Sequence, residues 1–143
     1  MAKVVAVSIS EKKGMRKTNV ARATAVEGFG LEGDAHASSK WHRQVSLLAI
    51  ESIQKMRDAG LDVGPGDFAE NITTEGIELF TLPIGTKIRV GEAEGEVSQI
   101  GKQCHDRCAI YYQAGDCVMP KEGIFIKVTR GGVIRPGDRV ELA

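Results

Sequence analysis

Pro83-Ile84-Gly85-Thr86-Lys87-Ile88-Arg89-Val90-Gly91-Glu92 sets out the fold in miniature. A Pro-Ile-Gly turn leads into Lys87-Ile88-Arg89-Val90, where polar and apolar residues alternate as they do in a half-buried strand. Gly91-Glu92 turns the chain again, into a second strand at Glu96-Val97-Ser98-Gln99-Ile100. The same turn-strand-turn pattern recurs on both sides. Residues 3–9 form the first strand, and a charged loop with Gly14 and three lysines follows at 11–17. Residues 20–26 are extended, with Val20, Arg22, Thr24 and Val26 on one face and alanines on the other. Further strands are expected at 68–73, 124–128 and 139–142, with turns at Pro65-Gly66, Arg130-Gly131-Gly132 and Pro136-Gly137-Asp138. One helix stands out. Val45 is read as a short strand and Ser46 as the N-cap, with Leu47, Ile50, Ile53 and Met56 forming the apolar stripe and Gly60 the stop. Short strands with turns this frequent predict a mostly β, barrel-like fold with one main α-helix and short helical turns.

Composition agrees. Seventeen of the 143 residues are glycine, well above the usual share of ~7%, and they follow no collagen period. Apolar residues are 42% of the chain, enough to bury a core in a single domain over residues 1–143. Nineteen Lys and Arg balance nineteen Asp and Glu, so the chain lacks the positive field of a non-specific nucleic-acid binder. No apolar run approaches the length of a membrane span, and Met1-Ala2-Lys3-Val4 opens a strand rather than a leader. The expectation is a cytoplasmic protein with neither nucleic acid nor membrane as partner. Three cysteines is an odd number, which argues against a disulfide framework.

The strongest chemical signal is Gly101-Lys102-Gln103-Cys104-His105-Asp106-Arg107-Cys108, on a connection of about twenty residues between two strands. Two thiols lie four apart among a lysine, a histidine and an arginine, and cationic neighbours favour the thiolate. A thiolate attacks sulfur, carries it as a persulfide or ligates a soft metal. The competing readings are two small buried hydrophobes, or structural zinc. For zinc, the C-x3-C spacing is not that of a knuckle, and no second pair exists. A second group, Gly33-Asp34-Ala35-His36 with His42-Arg43-Gln44-Val45-Ser46, is suited to an anionic cofactor through Arg43 and backbone amides, the alternative being a polar loop closed on itself. For His42 the polar loop is the better reading. In a third, Phe68-Ala69-Glu70-Asn71-Ile72, the Glu-Asn pair is unusual for a strand and either offers an amide to a ligand or marks a bulge. Gly28-Phe29-Gly30-Leu31-Glu32-Gly33 spells G-x-G-x-x-G without a βαβ unit behind it, so dinucleotide binding is rejected.

Taken in order, these pieces resemble the MOSC family, the domain found at the C-terminus of molybdenum-cofactor sulfurases and as stand-alone bacterial proteins. The likeness runs from Gly33-Asp34-Ala35-His36 through Arg43-Gln44-Val45-Ser46-Leu47-Leu48, Phe68-Ala69-Glu70-Asn71-Ile72, Leu82-Pro83-Ile84-Gly85 and Ile88-Arg89-Val90-Gly91 to the cysteine segment. Gly115-Asp116-Cys117-Val118-Met119-Pro120 resembles the small stand-alone members. The resemblance implies a barrel similar to the β-barrel domain of pyruvate kinase. It also implies a cysteine that binds the molybdenum of the molybdopterin cofactor or carries sulfur bound for it. Small members place that cysteine after a G-K-x stretch, which matches Cys104, and larger oxidoreductase members place it in an Arg-Cys pair, which matches Arg107-Cys108. The proline usual before the first cysteine is Gln103 here. Both cysteines therefore stand as catalytic and as molybdenum-ligand candidates, one of the two holding the metal. Asp34, His36, Arg43, Glu70, Asn71, Lys102, His105 and Arg107 stand as cofactor-binding candidates.

Three functions follow from this reading. The first is a molybdenum-cofactor-binding or sulfur-carrier protein acting in cofactor sulfuration, storage or delivery. It would draw sulfur from a cysteine desulfurase, since no pyridoxal-phosphate domain is expected in this chain, and would pass its cargo to a molybdoenzyme. The second is a small molybdenum-dependent reductase of N-hydroxylated compounds. The third is a non-catalytic β-barrel binding module.

Overall fold

The computed structural model describes residues 2–10, 17–35, 37–40, 42, 44–68, 70–101 and 122–143. In chain order the strands are β1 (Lys3–Ile9), β2 (Thr18–Val20), β3 (Ala23–Val26), β4 (Gly30–Leu31) and β5 (Val45–Ala49). Helix α1 (Ile50–Asp58) leads to β6 (Ile72–Glu75), and a single 3-10 turn spans Leu79–Thr81. Then come β7 (Lys87–Val90), β8 (Ala93–Ile100), β9 (Ile124–Arg130), β10 (Gly132–Ile134) and β11 (Val140–Leu142). Among the described residues, the mostly β reading with one main helix therefore stands.

Eight strands make one sheet in the order β11-β7-β8-β9-β5-β6-β1-β2, and β10-β3-β4 make a second. The ladders leave the large sheet open, with β2 and β11 at its edges. One bridge, Lys3 to Arg139, brings β1 to the approach of β11, helped by backbone bonds from Val4 N to Asp138 O and from Val140 N to Ala2 O. The sheet thus curls back on itself without a continuous closing ladder among the described residues, so the regular barrel expected from the turn pattern is not confirmed.

Strand β5 organises the interior. All five of its residues are buried. It pairs parallel with β6 on one side and antiparallel with β9 on the other. Its alternate residues serve two separate cores. Val45, Leu47 and Ala49 join the large cluster with Val7, Ile72, Ile88 and Ile124, whereas Leu48 joins Ile53, Met56, Phe68 and Phe125 beneath α1. A strand covered on both faces reads as an unbroken apolar run, and a short run of that kind fits either helix or strand.

This is why two expected boundaries moved. Ser46 and Leu47 lie in β5 rather than at the head of the helix, because partners on both sides satisfy their backbone as a ladder. The helix begins at Ile50, and its N-cap position is Ala49, with no side-chain cap bond. Glu51 in the first turn complements the helix dipole instead. Likewise, the strand expected at 68–73 starts only at Ile72, since Pro65 to Phe68 form turns. Within β3 the alanines face inward: Ala23 and Ala25 are buried, Thr24 and Val26 exposed.

Truncating Leu48, which is fully buried, opens a cavity in the smaller core alone. Leu48→Ala should lower the unfolding free energy by roughly 3 kcal/mol in a urea titration. A helix-start placement for this segment, with Leu48 half exposed, would predict a loss well under half of that.

Candidate functional site

The cysteine-bearing connection leaves β8 and returns to β9, strands paired to their very ends at Ile100 and Ile124. Gly101 N donates to Gly123 O at 2.6 Å, which pinches the two roots together. On the outgoing root the β8–β9 register shifts between Val97 and Gln99, leaving Ser98 as a bulge. Its hydroxyl donates to the carbonyls of His42 and Phe125. Gln99 Nε2 donates to Gly101 O at 2.8 Å, and Gln99 Oε1 lies 2.7 Å from His42 Nε2. On the returning root, the Glu122 carboxylate accepts from Ser52 Oγ at 2.6 Å and from Lys55 Nζ at 2.9 Å, both on α1. The His42 segment thus meets the end of β8, the strand from which the thiol-bearing connection starts.

Cys104, Cys108, Lys102, His105 and Arg107 lie outside the described residues, as do His36 and Arg43. Arg43 is the chain neighbour of His42.

Asp34 is buried, with its side chain 2.8 Å from Lys17 Nζ, and both side chains are wholly shielded from solvent. The same oxygen accepts from Ser10 N at 3.0 Å, and Lys17 Nζ also donates to Ser10 Oγ. Asp34 therefore ties the glycine-rich turn to both Ser10 and Lys17. Two buried charges in contact satisfy each other, and removing either strands the other in a low dielectric.

Glu70 and Asn71 are also fully buried. Glu70 Oε1 accepts from the backbone N–H of Gly66 at 3.0 Å and of Phe68 at 3.3 Å, and Oε2 accepts from Thr73 Oγ1. It holds the 64–70 turn closed. Gly66 there has φ +92°, and a Cβ would overlap the Lys17 carbonyl, so only glycine lets the turn pack this closely. Burial raises the Glu70 pKa from 4.5 to about 7, against the opposing pull of its backbone and Thr73 hydrogen bonds. Asn71 Oδ1 accepts from Ser46 N and Ser46 Oγ, and its Nδ2 donates to Ser8 O. The carboxamide joins β1, β5 and the entry to β6. The two polar residues that looked odd in a strand precede it, and their described polar contacts are with the protein's own loops and strands.

Sequence reasoning set His42 aside as a loop residue and passed over Gln99, Ser98 and Lys17. The signal for Gln99 was faint: two adjacent polar residues, Ser98-Gln99, interrupt the alternation of β8, as a bulge does. Among the described residues, no group of three or more His, Cys, Asp or Glu is placed to hold a metal. A surface depression of about 370 Å³ lies over Arg89, Glu92, Glu94 and Arg130, and none of the candidate catalytic, cofactor or metal residues lines it. Among the described residues, no helix is long and apolar enough to cross a membrane.

The family model of the MOSC domain matches residues 32–141. Among solved structures, the YuaD protein from Bacillus subtilis superposes with a TM-score of 0.78 at 18% identity, over 98% of this chain and 94% of that one. YiiM from Geobacillus stearothermophilus gives 0.73 at 21% identity, over 100% of this chain and 75% of that one. YiiM from Escherichia coli gives 0.69 at 24% identity, over 100% and 70%. At these identities the likeness is one of fold. No curated protein sequence matches the chain.

Two outcomes follow from the polar ties. A carboxyl whose pKa is raised on folding stabilises the fold below pH 4.5, and that contribution is lost as pH rises through about 7. Glu70→Gln keeps an acceptor for the Gly66 and Phe68 amides without a titrating group, so the fall of about 3 kcal/mol expected between those limits should flatten in the variant. Denaturant midpoints measured from pH 4 to 8 read this directly, and parallel curves for the two proteins would contradict it. Asn71→Ala leaves Ser46 N–H and Ser8 C=O buried without that partner and should cost about 3 kcal/mol of stability in thermal or urea unfolding.

Proposed function

The chain belongs to the MOSC domain family, which is associated with the molybdenum cofactor, and on that premise we propose that it binds this cofactor, or carries sulfur bound for it, through the thiolate of Cys104 or Cys108. One observation supports this reading above the others. The His42 segment and the root of the thiol-bearing connection, 57 residues apart at their point of contact, are joined by the His42–Gln99 hydrogen bond. Both lie inside the matched span.

The donor chemistry fits such a ligand. All three cysteines of the chain lie on this connection, and a thiolate is the soft ligand that molybdenum prefers. Lys102 and Arg107 flank those thiols in sequence and favour the thiolate form. Together with Arg43 they supply the cations that a pterin phosphate calls for. His42, Gln99 and Ser98 offer hydrogen-bonding groups at the base of the same connection. When bound, the cofactor would supply a redox-active molybdenum, which Cys104 or Cys108 would hold through its thiolate. Asp34, Glu70 and Asn71 support the site by fixing the turns on which its loops stand. His36 and His105 are the groups proposed to hold or move protons there.

In the sulfur-carrier form, the thiolate attacks the terminal sulfur of a persulfide on a cysteine desulfurase. A new S–S bond forms on Cys104 or Cys108, the donor's S–S bond breaks, and the donor cysteine leaves as a thiolate. No net oxidation occurs, and a molybdoenzyme is the proposed acceptor.

Native protein from a host that makes the cofactor should retain molybdenum and pterin near stoichiometry, or carry an adduct of about 32 Da on one cysteine. Cys104→Ser or Cys108→Ser should abolish whichever is found without changing the melting transition, and Arg43→Ala should weaken cofactor retention while leaving the thiols reactive. Turnover of a hydroxylamine-type substrate would shift the assignment to the reductase. Metal-free, adduct-free protein with inert thiols would leave only a binding module.

A further inference from the structure

We infer that Gln99 is a positioning residue for the thiol-bearing connection, locking the loop of His42 to the backbone from which that connection starts. The inference deepens the proposed function and rests on it for its ligand. The geometry stands independently of that ligand.

The orientation of the Gln99 amide is fixed by its partners. Gly101 O can only accept, so the amide must turn its NH2 toward it, at 2.8 Å. Gln99 Oε1 then faces His42 Nε2 at 2.7 Å and can only accept, so the ring proton sits on Nε2. A glutamine is the side chain suited to this pair of demands. Glutamate accepts at both oxygens and would repel Gly101 O, and methionine offers neither bond.

Three features make this a built connection rather than a chance surface contact. The bulge at Ser98 re-aims Gln99 away from the regular alternation of β8. The Ser98 hydroxyl bridges the His42 carbonyl and the Phe125 carbonyl, so backbone and ring of His42 are held by consecutive residues of β8. Gly101, which receives the glutamine bond, is also the residue that pairs with Gly123 across the two roots, and it adopts φ +75°. That left-handed conformation sets the direction in which the chain departs. The glutamine bond therefore acts on the carbonyl of the residue that aims the connection.

The test is the alkylation rate of Cys104 and Cys108 by iodoacetamide, resolved by mass spectrometry in the full chain, beside molybdenum retention. Gln99→Met should change the rate at one or both thiols by about fivefold, the equivalent of one ordinary hydrogen bond. His42→Phe should change the same thiol in the same direction, and the double variant should add nothing beyond about twofold, as coupled partners require. His42→Gln keeps an N–H for Gln99 Oε1 and should restore the rate, which a residue that merely fills space would not do. If Gln99→Met fails to fold, the His42→Phe and His42→Gln pair decides the matter from the other side of the bond. Additive effects, or folded variants with unchanged rates at both thiols, overturn the inference. Coupled rates in a protein that never holds molybdenum or sulfur would sustain the positioning role and refute only the proposed ligand.

Discussion

A single buried carboxamide holds three strands in place. Asn71 accepts from the backbone and hydroxyl of Ser46 in β5 and donates to the carbonyl of Ser8 in β1, while its own carbonyl accepts from Ser8 N. An amide alone among short side chains offers a strong acceptor and a strong donor on one rigid plane. In a site this dry each unmade bond is costly, so the register of β1 and β6 against β5 is strongly specified. From β5 the register passes to β9, from β9 to β8, and so to the bulge at Ser98 that aims Gln99 at His42. The geometry of the thiol connection's root is thus set by a contact on the far side of β5.

The supporting ties differ in kind according to their burial. Lys17 and Asp34 are wholly enclosed, and the pair holds Ser10 and Lys17 to the turn at Gly33. Lys55, by contrast, is 60% exposed where it meets Glu122. A pair so open to water adds little stability, and its contribution is to direct the returning root onto α1, where Ser52 supplies a shorter, more sheltered bond. Glu70 is as buried as the Lys17–Asp34 pair but has no charged partner among its described hydrogen bonds. It is a buried carboxyl held by neutral donors, poised to exchange its proton near neutrality, and it keeps a turn closed against Lys17. The inner polar ties of this framework are dry, and the candidate thiols lie on the connection between β8 and β9 whose roots it holds.

Much of the fold was legible in the sequence because its strands are short and half-buried. Lys87–Val90 shows its exposed-buried alternation directly, and the structure reproduces that strand to the residue. The first strand was equally plain. The head of the helix was not, because Val45-Ser46-Leu47-Leu48-Ala49 is buried on both faces and carries no period to read. Glu70-Asn71 drew attention as a polar pair among apolar neighbours. The sequence could say that such a pair has a purpose, and only the packing shows that it ties the protein's own backbone. Gln99 drew none, since a glutamine at a strand end is unremarkable until its two partners are in place.

What the sequence determined by itself was the vocabulary: mostly β, one helix after a central strand, a long connection bearing thiols among cations, and the ordered motifs that mark the family. These are local properties of composition, alternation and spacing, and they survive without knowledge of what touches what. The tertiary structure decided the assignments that depend on contact at long range. It left the large sheet curled but open. It put Asp34 against Lys17, 17 residues away, and it brought His42 to Gln99 across 57 residues. Hydrogen bonds and buried charge are interactions of position, and position at that separation exists only once the chain has folded.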